Sequence, residues 1–271
     1  VQSRAGRWRH FAVEKVSTTV HGMRPSAWIG RLRGPRVLAN SMPKSGTHLL
    51  TRALYRCPLL HSPAGRVLRG WEAIDPRTLK RLRDLQRGQF LTGHLPAHDE
   101  LLELVEQIDL RVLLMIRDPR DIMVSYGHYV AGMDTTHPAH KVFHTMNGRD
   151  RLTALIDGVP GVVSPMHEVL TRFAGWLDSR QVLILRFEDL VGAHGGGHNG
   201  LRNARLEKML VFLGIEPTPE LIRHIAKGLY SKRSLTYRKP RIGQWRTQFD
   251  DELLRMFEDS VGDLAKRFGY E

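Results

Sequence analysis

The sequence is short of cysteine, having only Cys57, so an intrachain disulfide framework is excluded and a reducing compartment, the cytoplasm, is the expectation. It has no N-x-S/T acceptor, and nothing in it points to a secretory route. No apolar run approaches the ~18 residues of a membrane span. Neither CxxC nor HExxH spacing occurs, so the fourteen histidines give no metal signature, and no metal is expected. Internal repeats are absent as well. The chain opens on Val1 rather than Met, which leaves room for an anchor or targeting segment before it.

Acidic residues are scarce too, 28 against 41 Lys and Arg, for a net charge of +13. That balance implies anionic partners: nucleic acid, a membrane surface, or a small polyanion such as a nucleotide. Val1 to Arg36 holds eight Lys and Arg against the single acid Glu14, which concentrates +7 in a leading arm. Residues 1–35 therefore read as a basic arm that is solvated or docks on a surface, with peripheral membrane contact as an accessory property and no specific nucleic acid expected. Residues 36–271 are enough for one domain with a sizeable core.

Arg36 to Ala39 reads as a strand and Thr47 to Arg56 as a helix. Gly70 to Arg87 contains a helical segment rich in Arg and Leu, broken near Asp75-Pro76, and Gln89 to Gly93 is a short strand ending at His94. Ala97 to Ile108 has helical spacing, with Asp99 and Glu100 in the first turn where the helix dipole favours them. Arg111 to Ile116 is a continuous apolar run, as expected of a parallel strand buried on both faces. Asp118 can cap the next helix and Pro119 start it, as far as Val130. Ala131 to Asn147 is a histidine-bearing loop, and helices follow over Arg149 to Ile156 and Ser164 to Leu177. Gln181 to Leu185 is a further buried strand, Val191 to Gly200 a flexible glycine-rich connection. Helices cover Leu201 to Leu213 and Pro219 to Leu229, then a polar loop runs to Phe249 and a final helix pair to Phe268. Alternating strands and helices imply a three-layer, P-loop-like α/β domain, its central parallel sheet flanked by helices.

Ser41 to Leu50, SMPKSGTHLL, follows the first strand. A strand, a turn rich in backbone donors and a helix start together hold phosphate, and Lys44 adds a cation. The order is not that of a Walker A loop, because Lys44 precedes Gly46. Arg117 to Tyr126, RDPRDIMVSY, begins at the carboxyl end of the buried strand, where open α/β sheets bind ligands. Ser125 lies about two helical turns beyond Arg117 and so on the same side. Near the C-terminus, Tyr237 to Phe249 reads YRKPRIGQWRTQF.

These three segments, in this order and spread from Pro43 to Arg246, resemble the sulfotransferases that use 3'-phosphoadenosine 5'-phosphosulfate (PAPS), closest to the cytosolic type and its bacterial relatives. PKSGT resembles their shortened P-loop, and the last segment their RKG-x-x-G-D-W-K closure. Arg238 and Lys239 fall on the phosphate-contacting pair, and Gly243 and Trp245 keep their places. Pro240 and Gln244 depart from the pattern, and proline removes one backbone N–H.

The resemblance implies sulfuryl transfer from PAPS, as co-substrate, to a hydroxyl or amine. Lys44, Ser45, Gly46, Thr47, His48 and Leu49 would form the donor loop. Arg117 and Ser125 would grip the 3'-phosphate, and Phe187 would lie beside adenine. FLTGHLP, Phe90 to Pro96, resembles the family's T-H-L-P segment, so His94 is the expected base. Thr92 stands where the family commonly carries a lysine, and Leu49 where the cytosolic enzymes usually carry a tryptophan. Lys44 would stabilise the leaving phosphate oxygen, with Ser125 restraining it. The loop Ala131 to Asn147 would be a flap over the acceptor, whose identity as small molecule, glycan or lipid is not legible, nor is the oligomeric state. Two other classes remain: a P-loop kinase or NTPase, which lacks the Walker lysine position and a clear Walker B aspartate, and a basic protein binding nucleic acid or a membrane surface.

Overall fold

A computed structural model describes residues 30, 32–63, 65, 67–230 and 241–271. The basic arm up to residue 29, and Arg238, Lys239 and Pro240 of the closing segment, lie outside the described residues.

Strands β1 (Arg36–Ser41), β2 (Leu68–Arg69), β3 (Phe90–His94), β4 (Leu110–Ile116) and β5 (Val182–Arg186) form a parallel sheet in the order β2-β3-β1-β4-β5. The helices are α1 (Thr47–Tyr55), α2 (Pro76–Arg83), α3 (Asp99–Gln107), α4 (Pro119–Gly132), α5 (His140–Thr145), α6 (Gly148–Asp157), α7 (Met166–Ala174), α8 (Phe187–Leu190), α9 (Asn199–Phe212), α10 (Pro219–Gly228) and α11 (Asp251–Arg267).

Side chains of a strand alternate between faces, so the unbroken apolar run of β4 feeds two cores. Val112, Leu114 and Ile116 pack with Phe143, Phe173, Trp176 and Phe257 on one face of the sheet. Leu113 and Met115 pack with α1, α9 and α10 on the other, through Leu50, Leu54, Leu206, Leu210 and Ile225. At the edge, β5 alternates instead and leaves Ile184 exposed, which corrects the expectation of burial on both faces.

The register sets the site. Ser41 lies opposite Met115 across β1 and β4, and Arg69 opposite His94 across β2 and β3. The carboxyl ends of β1, β3 and β4 thus carry the loop before α1, His94 and Arg117 to one edge. Helix α4 begins there because Asp118 accepts the N–H of Arg120 at 2.9 Å and Pro119 needs no hydrogen-bond partner for its nitrogen.

Three further readings need correction. The segment from Ala131 to Asn147 is not all loop, since α5 forms within it around the fully buried Phe143. The expected final helix pair is one helix, α11, carried past Gly262 by Val261 and Ala265 packing into the core. The glycine-rich connection is a hydrogen-bonded turn: Gly192 and Gly196 take positive φ, the N–H of Gly197 reaches the carbonyl of Gly192 at 2.9 Å, and the carbonyl of Gly195 accepts from Ile242 at 3.1 Å. Among the described residues no helix is long and apolar enough to cross a membrane.

Candidate active site

The loop after β1 is shaped by two left-handed residues, Lys44 at φ 67° and Gly46 at φ 111°. Such a conformation in a lysine is strained and is retained where the surroundings enforce it. Part of that enforcement is Ser45, whose hydroxyl donates to the carbonyls of Met42 at 2.7 Å and Met115 at 2.8 Å. Ser45 is fully buried, so its side chain staples the loop to β4 rather than facing the cavity. Gly46 caps α1 with no side-chain oxygen across the helix start, which leaves the positive end of the helix open to the cavity.

A cavity of about 570 Å³ opens at this sheet edge. It brings together Lys44, Gly46, Thr47, His48, Leu49, His94, Arg117, Ser125 and Phe187, nine positions singled out from sequence. Sequence reasoning missed its other polar members, among them Arg52, Arg69, Asp121, Tyr126, Tyr129, Asp134, His137 and Tyr230. For Tyr126 and Tyr129 a signal existed: they follow Ser125 on α4, and Tyr129 lies one turn beyond it.

The orientation of His94 follows from a partner that can only accept. Its Nδ1 lies 2.9 Å from the carbonyl oxygen of Ser41, so Nδ1 carries the proton and Nε2 keeps its lone pair. The Ser41 hydroxyl, 3.2 Å from the same nitrogen and 2.7 Å from the Thr47 hydroxyl, links the histidine to the start of α1. Burial lowers the His94 pKa below its ordinary value; the Ser41 carbonyl works the other way, while Arg69, His48 and Lys44 add to the lowering. The ring is therefore neutral near pH 7.

Arg117 is buried at the end of β4, its guanidinium 4.4 Å from the centre of the Phe187 ring. One nitrogen donates to Asp121 at 3.3 Å and to the carbonyl of Arg241 at 2.8 Å, while its Nε is buried with no partner. Asp121, also buried, accepts the backbone N–H groups of Gly243 at 2.8 Å and Trp245 at 3.0 Å. The Trp245 ring is stacked by Arg120 at 3.9 Å and by Arg246 at 4.5 Å. Gly243 and Trp245, noted for their spacing, thus enter the site through a buried carboxylate.

On the opposite wall, the Lys44 ammonium stands 3.7 Å from the centre of the Tyr129 ring. Tyr129 bonds to Asp134, whose carboxylate also accepts the backbone N–H of Thr136 at 3.2 Å and its hydroxyl at 2.7 Å. Burial works to raise the Asp134 pKa, but the bonds from Thr136 and Tyr129 hold it below the usual carboxylate value. Tyr126 lies 2.9 Å from Nε2 of His137. Because the N–H of Ala139 donates to Nδ1 of His137 at 3.1 Å, the neutral ring carries its proton on Nε2 and donates to the Tyr126 oxygen. The Tyr126 hydroxyl proton is then available to the cavity, and burial, first among its causes, pushes its pKa up to about 12.

The other histidines of this region serve packing: His140 gives its Nδ1 proton to the Val130 carbonyl at 2.8 Å, and His144 to that of Ala131 at 3.2 Å. Among the described residues no group of three or more His, Cys, Asp or Glu could hold a metal ion.

A family model described as "Sulfotransferase domain" matches residues 35–269. No curated protein sequence matches the chain. Among solved structures, mouse sulfotransferase SULT7A1 complexed with PAP aligns with a TM-score of 0.63 at 20% identity, covering 93% of this chain and 96% of that one. Retinol dehydratase in complex with androsterone and inactive cofactor PAP aligns with a TM-score of 0.57 at 16% identity, covering 95% of this chain and 86% of that one. At these identities the likeness concerns the fold.

Proposed function

This chain belongs to the sulfotransferase domain family, and from that premise we propose that it transfers a sulfuryl group from PAPS to a hydroxyl or amine, with His94 as general base and Lys44 stabilising the leaving phosphate oxygen. The observation that carries this reading is the meeting, in one cavity, of a neutral histidine with a free Nε2 lone pair and a lysine on a phosphate-type loop.

The residues present fit a donor with two phosphate groups. The uncapped start of α1 and Lys44 suit the 5'-phosphosulfate. The unpartnered Nε of Arg117, with Ser125 on the next helix, suits the 3'-phosphate that ATP lacks. Phe187, Leu49 and Tyr230 offer apolar surface for a purine. The two solved structures of similar fold, mouse SULT7A1 and retinol dehydratase, are complexes with PAP.

In the transfer, Nε2 of His94 takes the proton from the acceptor as its oxygen or nitrogen bonds to sulfur. The bond from sulfur to the 5'-phosphate oxygen breaks, and Lys44 faces the charge left on that oxygen. The Ser41 carbonyl keeps the imidazole in the required tautomer and shares the positive charge that forms on it. We further propose that residues 36–271 are the catalytic unit, that the basic arm lies outside it, and that the protein works in the cytoplasm.

The test is thermal shift. PAP should raise the melting temperature, whereas ATP with magnesium should do so far less. Equal responses to the two would overturn the reading.

A further inference from the structure

Arg69 ends the edge strand β2, in register with His94, and lines the same cavity. It is exposed, and among the described residues no hydrogen bond or ion pair holds its guanidinium. Of the cavity's other cations, Arg52 lies on α1 in the field of Arg56, and the rest have partners close by. Lys44 stands over Tyr129, and Arg117 is bonded to Asp121 and the Arg241 carbonyl. Of the acids, Asp121 is taken by Gly243 and Trp245, and Asp134 by Thr136 and Tyr129. Arg69 is a cation left over on the side away from the donor loop, and its field reaches His94, Tyr129 and His137.

A lone guanidinium beside a general base works against catalysis, because it disfavours the imidazolium that forms as the proton arrives. An anion brought by the substrate would cancel that effect and would find a planar donor fork waiting for it. Trp71 and Tyr126 line the same cavity with ring surface, and the Tyr126 hydroxyl adds a donor. A neutral acceptor would leave the guanidinium unmatched.

We propose that Arg69 selects acceptors that carry an anionic group, a carboxylate or a sulfate ester, close to the hydroxyl or amine that is sulfated. This rests on the sulfotransferase reading. It adds a substrate class to it.

The experiment uses the full chain saturated with PAP and measures acceptor binding by calorimetry in matched pairs. The pairs are 4-hydroxybenzoate with its methyl ester, glucuronate with its methyl ester, and 4-hydroxyphenyl sulfate with 4-methoxyphenol. The charged member of at least one pair should bind roughly tenfold more tightly, with the carboxylate and sulfate arms separating the two anions. Arg69→Met should erase that preference and leave PAP affinity unchanged, while Arg69→Lys should keep part of it. Three results would overturn the proposal: no preference in any pair, a preference that survives in Arg69→Met, or a loss of PAP affinity in that variant. A wild-type chain that fails to bind PAP would instead bring down the sulfotransferase reading itself.

Discussion

The carboxylate of Asp121 receives the backbone N–H of Gly243 at 2.8 Å, across 122 residues of chain. Its second oxygen takes the N–H of Trp245, and the first also meets Arg117, so one buried acid on α4 fastens the closing segment to the cation proposed for the 3'-phosphate. The acid that orients Arg117 is therefore the acid that anchors the backbone at Gly243 and Trp245.

Replacing Asp121 with Asn should cost stability and PAP affinity together. An amide oxygen can accept one of the two N–H groups, and its NH2 opposes the other, so about 2–3 kcal/mol of stability should be lost. PAP affinity should fall about tenfold with it, measured by calorimetry beside denaturant unfolding. An unchanged PAP affinity would detach the clamp from the donor site.

For His94→Ala, turnover should drop by about 10²–10⁴-fold while PAP binding stays within about twofold. In the wild type, kcat/KM should rise with pH through a value below the ordinary histidine pKa of about 6.5 and be flat at neutrality. The stability linkage has a definite sign. The folded-state pKa is depressed, so the contribution of His94 is fully present above about pH 6.5 and is lost as pH falls from there through the lower folded value. A rate profile still climbing above pH 7 would mean that a different group is the base.

Gly46→Ala should be severe for two independent reasons. At φ 111° any L side chain is strained, and a Cβ there would come within 2.8 Å of the Phe187 ring, on which Arg117 is stacked. A loss of about 1–3 kcal/mol is expected, with PAP binding weakened more than in Ser45→Ala, which removes only the internal staple. Comparable losses in both variants would indicate that the loop fails as a whole.

Tyr129 should tune Lys44 through its ring rather than its hydroxyl. Tyr129→Phe keeps the face on which the ammonium rests at 3.7 Å, whereas Tyr129→Leu removes it. The Leu variant should lower kcat about threefold to tenfold, and the Phe variant should stay near wild type. Equal losses would assign the effect to the bond with Asp134.

Much of this architecture is legible in residue order. RVLLMI announces a strand covered on both faces, Asp118-Pro119 a helix start, and SMPKSGTHLL a turn into a helix, and each forms at its expected place. All depend on neighbours a few residues apart, where periodicity, capping and left-handed turns act. Strand β2 escaped notice because two residues carry no period, and α5 because its one anchor, Phe143, is recognised only by the core that receives it.

By itself, then, the sequence determined the local conformations and the identities of the cations and histidines set near one sheet edge. The tertiary structure alone decided which way each side chain faces and what it meets. Ser45 turns inward to β4, Asp121 closes a contact with Gly243, and Arg69 comes beside His94. The reason is physical: the register of parallel strands and the partners of a buried carboxylate are settled by the packing of both sheet faces, across separations where no local propensity acts.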